Sequence, residues 1–441
     1  MIESFQNAFR IPELRRRILF TLGLLAVYRI GGQIPTPGID HEVLGSFFSQ
    51  MGGTIFGLYN MFVGGAFERA TIFALGVMPY ISASIVLQLL GSMWPYLQKL
   101  QKEGQEGQKK INQYTRYGTV FLSMVQAIGI SVWLQDIRDD LGRSAVVDPG
   151  PGFVFLTVIT MTTGTIFLMW LGEQIQERGI GNGISLIIFV GIIAQFPIAV
   201  QNEVEAVING LRSGLFEIVI VAIWVLIIAS VVLLTQGQRR IIVQYPRRVV
   251  GRKVYGGQST HLPLKVNAAG VMPIIFAQSI MFVPGTVSSF FPESAVFQTL
   301  TDWFQPGALV YNALYGLLIV FFTYFYTAII FNPVDVADNM KRVGGFIPGI
   351  RPGKRTADYL DRILTRITLP GAIFLAFIAI VPFLIIRSMN VSMSASSFFG
   401  GTALLIVVGV ALDTLQQIES HLVSRHYEGF MKRGKIRGRA S

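Results

Sequence analysis

No cysteine occurs among the 441 residues. That excludes disulfides, thiolate nucleophiles and thiolate metal sites. Charge is also scarce: 14% of residues carry it, against roughly 25% in a soluble domain. A nucleotide-cradling GxxxxGK[ST] loop is missing, so the chain is not expected to hydrolyse nucleotide itself. The four histidines, His41, His261, His421 and His426, form neither HExxH nor another metal spacing. A Gly-x-Ser-x-Gly elbow is missing too. Catalysis, a metal and a cofactor therefore have little support. No cleavable signal peptide is expected. Residues 2–13 read instead as a short amphipathic helix, with Phe5, Phe9 and Leu14 set against Glu3, Arg10 and Glu13.

What the chain does have is apolar surface. Hydrophobic residues make up 52%, more than one water-soluble core can bury, so lipid must cover much of it. A span needs about 20 mostly apolar residues. Ten stretches qualify, at 18–34, 71–93, 117–135, 153–172, 183–200, 215–235, 270–290, 308–331, 367–386 and 397–413. Runs this long are helices, not the short alternating strands of a barrel. The predicted fold is an all-α polytopic membrane protein. The net charge of +11 reports orientation: 30 of the 36 Lys and Arg residues fall before span one, in the even-numbered loops or after span ten. By the positive-inside rule both termini are cytoplasmic. Ten spans divide into halves of five, 1–213 and 214–441. An odd count per half inverts the second relative to the first, with a functional path expected between them.

Three segments depart from a plain bundle. Residues 57–76 carry Gly64-Gly65 and then Phe67-Glu68-Arg69, a semi-apolar stretch too short and too charged to span. It reads either as a half-inserted, re-entrant piece or as an interfacial loop helix. Loop 236–269 holds β-branched runs around Pro246 and Gly251, which predicts a hairpin. Loop 332–366 sets Lys341, Arg342, Arg351, Lys354 and Arg355 among Gly-Gly and Pro-Gly turns. These two loops are the longest on the inner side, and their basic residues suit an acidic partner as well as topology.

Inside the spans charge nearly vanishes. Arg29 lies in the outer part of span one, where it can snorkel; Glu173, Glu217 and Asp413 lie at span ends. An ion-coupled transporter places ionisable groups at mid-membrane. Apolar middles point instead to a conduit closed by excluding water. A secondary transporter, and an insertase or scaffold without an aqueous path, remain as rival readings.

Several motifs resemble the SecY family, the channel subunits of the bacterial Sec translocon. They include Gly76 through Ile85 (GVMPYISASI), Glu173 through Ser185 with its ERGIGNGIS ending, Ser259 through Asn267 (STHLPLKVN), Phe331-Asn332-Pro333, and Phe346 through Gly353 (FIPGIRPG). They run in order over nearly the whole chain. The resemblance implies an hourglass-shaped, protein-conducting pore between two inverted five-helix halves. It implies a closing ring of aliphatic side chains at Val77, Ile81, Ile184, Ile188, Ile275 and Ile406. The first two pairs are spaced i, i+4, which puts each pair on one helix face. β-branched side chains are stiff at χ1 and give a defined gasket. Val77 stands where the family more commonly has Ile.

The resemblance further implies a plug, a short helix at about 60–70, with Asn60, Gly64, Gly65, Phe67, Glu68 and Arg69. It also implies a lateral gate to lipid, here assigned to Ser82, Gln88, Gln278 and Val283. Docking of the SecA motor and of ribosomal RNA would fall to Arg351 foremost, then Arg239, Arg240, Arg252 and Lys253. A guanidinium suits both carboxylate and phosphate. The partners implied are SecE, SecG, SecA, the ribosome, secretory and membrane-protein clients and the lipid bilayer.

Overall fold

The computed structural model describes residues 11–50, 55–138, 142–210, 213–245, 248–250, 253–255, 259–288, 303–305, 308–389 and 401–433. The amphipathic helix expected at 2–13 lies almost wholly outside them. The chain gathers into two compact units. One comprises Met1–Ile198, Gly285–Gln298 and Val410–Ser441; the other comprises Ala199–Pro284 and Thr299–Gly409.

The first unit opens with α1 (Pro12–Gly31), started by proline in its first turn and ended at Gly31-Gly32. Two short helices follow, α2 (His41–Gln50) and α3 (Ile55–Phe62). Span two was expected from residue 71, yet α4 covers Met78–Met93 only. Gly76, at φ +55, breaks the chain just before it. Sixteen residues reach about 24 Å, so the apolar run at 71–77 contributes turns, not helix. The loop expected at 94–116 is largely helical: α5 (Pro95–Lys102) leads through a turn at Gly104 into the long α6 (Gln105–Asp136).

Helix α7 (Pro151–Arg178) runs beside α6. The two are tied by a bidentate ion pair, Arg116 Nε to Glu173 Oε1 at 2.9 Å and Nη2 to Oε2 at 2.7 Å. Helix α8 (Gly183–Ile208) carries Pro197 inside it, next to the boundary between units. The glycine-rich turn between α7 and α8 is held on two sides. Ile180 N donates to Thr21 Oγ1 at 3.0 Å, and Gly181 N donates to Gln417 Oε1 at 2.9 Å. Leu14, Ile18, Ile180 and Ile418 close a small apolar cluster there.

The second unit holds α9 (Gly214–Gln236), four short strands, α10 (Met272–Ser288), α11 (Leu309–Ile330), α12 (Pro333–Arg342), α13 (Lys354–Met389) and the start of α14 (Gly401–Arg433). Helix α11 lies along α13, and Gly316 permits the approach: a Cβ there would stand 3.0 Å from Ile380 Cδ1. Among the described residues, seven helices are long and apolar enough to cross a membrane; α4 and the first part of α10 are shorter apolar helices. With the 20-residue α1, these account for the ten expected spans.

Candidate functional site

Two regions bring the singled-out residues together, one in each unit. The first is the segment that joins α3 to α4. A helix was expected at 60–70, but helix occupies only its first three residues and ends at Phe62. Gly64 and Gly65 take φ of +73° and +83°, which turns the chain out of the helix. The remainder is a compact series of turns. It is nevertheless well buried: Val63, Ala66, Phe67 and Ala70 are each less than 5% exposed.

Three kinds of contact hold it. Internally, Asn60 and Glu68 clip the turn: Asn60 Nδ2 donates to Glu68 Oε2, and Glu68 N donates to Asn60 Oδ1, both at 2.9 Å. Aromatic packing comes second. The Phe67 ring lies 5.0 Å from Tyr59, 5.4 Å from Phe48 and 5.8 Å from Trp133, the last nearly parallel at 7°. Third come contacts to two spans. Tyr28 Oη donates to the Val63 carbonyl and Arg29 Nη1 to the Gly64 carbonyl, each at 3.2 Å. On the α8 side, a Cβ on Gly64 would fall 2.9 Å from Gly191 Cα, so both positions need glycine for this approach. Arg69 is exposed and bonds Gln33.

The six ring candidates are all buried, each at 8% exposure or less. Val77 is the residue before α4 and not within it, but its carbonyl accepts from Ile81 N at 3.1 Å. Ile184 and Ile188 share α8, and Ile184 packs against Gly172 of α7. Ile275 and Ile406 belong to the second unit, where Gly409 of α14 lets that helix close on Val271 at the foot of α10. Of the gate candidates, Ser82 is half-buried and Gln88 Nε2 donates to Ser84 Oγ at 2.9 Å, one turn back. Gln278 is buried, and Val283 is 47% exposed.

The second region is built from the two long basic loops. The predicted hairpin is present: β1 (Gln238–Gln244) pairs antiparallel with β4 (Ser259–Lys265), from Gln238 opposite Lys265 to Gln244 opposite Ser259. A smaller pair, β2 (Arg248–Val250) with β3 (Lys253–Tyr255), lies between them in sequence. The stretch 332–366, expected as a loop, is mostly helical. Asn332 caps α12, accepting from Val334 N at 3.0 Å, and Pro333 fills the first helical position.

The two loops share one core, a relation that sequence reasoning missed. Ile241, Val243 and Leu264 of the hairpin pack with Met340, Ile347, Leu360 and Ile363. Gln244 and Phe346 exchange two backbone hydrogen bonds at 2.9 Å. The alternation in β1, with Ile241 and Val243 in and Arg240 and Ile242 out, was the available signal.

Arg351 projects from a turn flanked by Gly349 (φ +81) and Gly353 (φ +100). Buried Thr356 donates from Oγ1 to the Arg351 carbonyl at 2.9 Å, fixing the backbone while the side chain stays exposed. Arg239 and Arg240 are exposed on β1. Lys253 lies in β3, and Arg252 is outside the described residues.

The SecY family model matches residues 71–415. The protein translocase subunit SecY of Escherichia coli (strain K12) is 49% identical over 442 residues, covering 99% of this chain and 98% of that protein. The subunit of the same name from Aquifex aeolicus (strain VF5) is 47% identical over 434 residues, covering 98% and 100%. Among solved structures, one described as showing that the SecY plug domain stabilises the closed state of the translocation channel and maintains a membrane seal matches with TM-score 0.65 at 18% identity, over 95% of this chain and 96% of that one. Sec61 in a canine ribosome–channel complex matches with TM-score 0.62 at 17% identity, over the same shares. At such identities the structures establish the fold, and the long, near-complete sequence matches establish the kinship: the chain belongs to the SecY family of membrane translocase subunits.

Proposed function

We propose that this chain forms the channel through which unfolded secretory polypeptides cross the cytoplasmic membrane and from which apolar segments pass sideways into lipid. The observation that carries the reading is the compact turn segment at 60–70. It is buried, largely without helix, and seated on side chains of α1 and α8. That is the form of a removable stopper, and a related channel is described as sealed by such a plug. In this reading the chain has inverted halves at 1–213 and 214–441, with both termini cytoplasmic. Val77, Ile81, Ile184, Ile188, Ile275 and Ile406 close the waist, and Ser82, Gln88, Gln278 and Val283 line the lateral exit. A dry ring of this kind blocks ions by dewetting.

The chain itself is not an enzyme in this reading, so a partner supplies the work. Arg351, Arg239, Arg240, Arg252 and Lys253 form the docking face for the SecA motor or the translating ribosome, and SecE and SecG complete the membrane complex. The basic platform suits a carboxylate-rich motor surface and RNA phosphate alike.

The natural absence of cysteine makes the test clean. A single cysteine placed at Ile188 or Ile275 is the only thiol in the chain. A stalled secretory polypeptide should crosslink to both. Crosslinks confined to an outward position such as Phe155, which is 69% exposed, would show a scaffold and not a conduit.

A further inference from the structure

We infer that Arg29, with Tyr28, is the latch that sets how tightly the plug is held shut. This rests on the plug reading above and extends it to residues outside the plug. An arginine in a membrane span is costly, and free snorkelling to the interface is the ordinary way out. Arg29 does something else. Its side chain is half-buried and turned to the Gly64 carbonyl, while its neighbour Tyr28, 2% exposed, turns to the Val63 carbonyl.

These two carbonyls are the first beyond the C-terminal end of α3. Helix ends of this kind concentrate partial negative charge on carbonyls and favour a cation. A guanidinium bond to a carbonyl is charge-assisted, hence stronger than a neutral one. Arg29 forms no ion pair among the described residues. The cation is thus matched to the plug backbone and not to a carboxylate.

The plug's own cohesion is separate. The Asn60–Glu68 clip closes within the segment, so it persists whether the plug is seated or displaced. The polar contacts of the Val63-Gly64 turn to α1 are these two side-chain bonds, which must break when that turn leaves. The acceptors are main-chain atoms, so changing plug side chains does not remove them. The latch is adjustable only from span one.

A mutant cycle in the reconstituted channel complex tests this, read as ion leak through the closed channel. Loss of a charge-assisted bond corresponds to about a tenfold shift between closed and open populations. Arg29→Leu should therefore raise leak about tenfold, and Arg29→Lys should restore most of the seal. Tyr28→Phe, which removes only a hydroxyl, should raise it about fivefold. In a channel lacking 60–70, leak should already be high and Arg29→Leu should add nothing. A leaky deletion beside a tight Arg29→Leu channel overturns the latch and leaves the plug reading standing. A deletion that does not leak removes the plug reading itself. An equal rise from Arg29→Leu with and without the plug shows that Arg29 acts elsewhere, which also overturns the latch. Should Arg29→Leu fail to assemble, unchanged leak in Tyr28→Phe is the overturning result.

Discussion

The proposed plug segment and the platform of the two basic loops solve opposite problems with opposite materials. The platform spends regular structure: a hairpin, two helices and a shared apolar core of seven buried residues. Its proposed docking residues, Arg351, Arg239 and Arg240, are exposed. The plug has almost no regular structure beyond Phe62. It is held by glycine turns, one internal clip, stacked aromatic rings and two side-chain bonds to backbone carbonyls. A core of interdigitated aliphatics resists displacement because every part depends on every other. A segment held by a few discrete bonds can leave and return, since each bond has water as an alternative partner.

The sharpest way to break this contrast is to take the core from the platform. Leu360 is fully buried at the centre of the cluster. Leu360→Ala should cost about 3 kcal/mol of local stability. Limited proteolysis should then cut within 236–269 and 332–366, while the membrane-embedded part stays protected. If both loops remain resistant, they do not share a core.

Next in size is the plug's close approach to α8. Gly64→Ala places a Cβ 2.9 Å from Gly191 Cα at a φ of +73°. The left-handed conformation alone costs about 1–2 kcal/mol, and the overlap adds to it. The seated state should lose occupancy, raising ion leak without reducing the amount of assembled complex. Gly45, whose added Cβ would meet nothing within 4 Å, is the control position.

The smallest effect on the fold should come with a clear effect on function. Arg351 is exposed, and its turn is fixed by Thr356 through the backbone. Arg351→Glu should leave thermal stability within about 0.5 kcal/mol. Motor-driven translocation in proteoliposomes should nonetheless fall about tenfold, because charge reversal adds repulsion to lost pairing. Wild-type rates would remove Arg351 from the docking face. Ribosome binding, spread over many phosphate contacts, should weaken less and fall with salt.

How far the sequence foretold all this depends on the range of each interaction. Hydropathy located the spans because lipid burial is a property of each segment alone. It misplaced the start of α4, since the run at 71–77 is as apolar as a helix while its backbone folds into turns and takes a φ of +55° at Gly76. The loop hairpin was legible from β-branched runs and turn residues. Its union with the second loop was not, because the Gln244–Phe346 pairing uses backbone atoms that every residue carries. The partner of Arg29 was hidden for the same reason. As a lone cation near a span end the arginine looked like a snorkelling side chain, and its partner, the Gly64 carbonyl, leaves no mark in the sequence. The ring and plug assignments come from family motifs, since their spacing alone would have passed for ordinary packing; the glycine-broken segment and the basic loops stood out in the sequence without them.

The cluster of nearly parallel rings formed by Trp133, Phe56 and Phe67 has an optical consequence. Indole emission reports the polarity around the ring, and Trp133 lies 5.0 Å from one phenyl centroid and 5.8 Å from the other. Phe67 belongs to the proposed plug, whereas Trp133 sits on α6. Displacing the proposed plug would take Phe67 away from the indole and leave Phe47, Phe48 and Phe56 beside it. The chain has five tryptophans, so a variant retaining Trp133 alone carries a native fluorophore beside the one segment proposed to move. Opening then becomes a colour change that needs no attached dye and can be followed in time, client by client, in an otherwise unlabelled membrane.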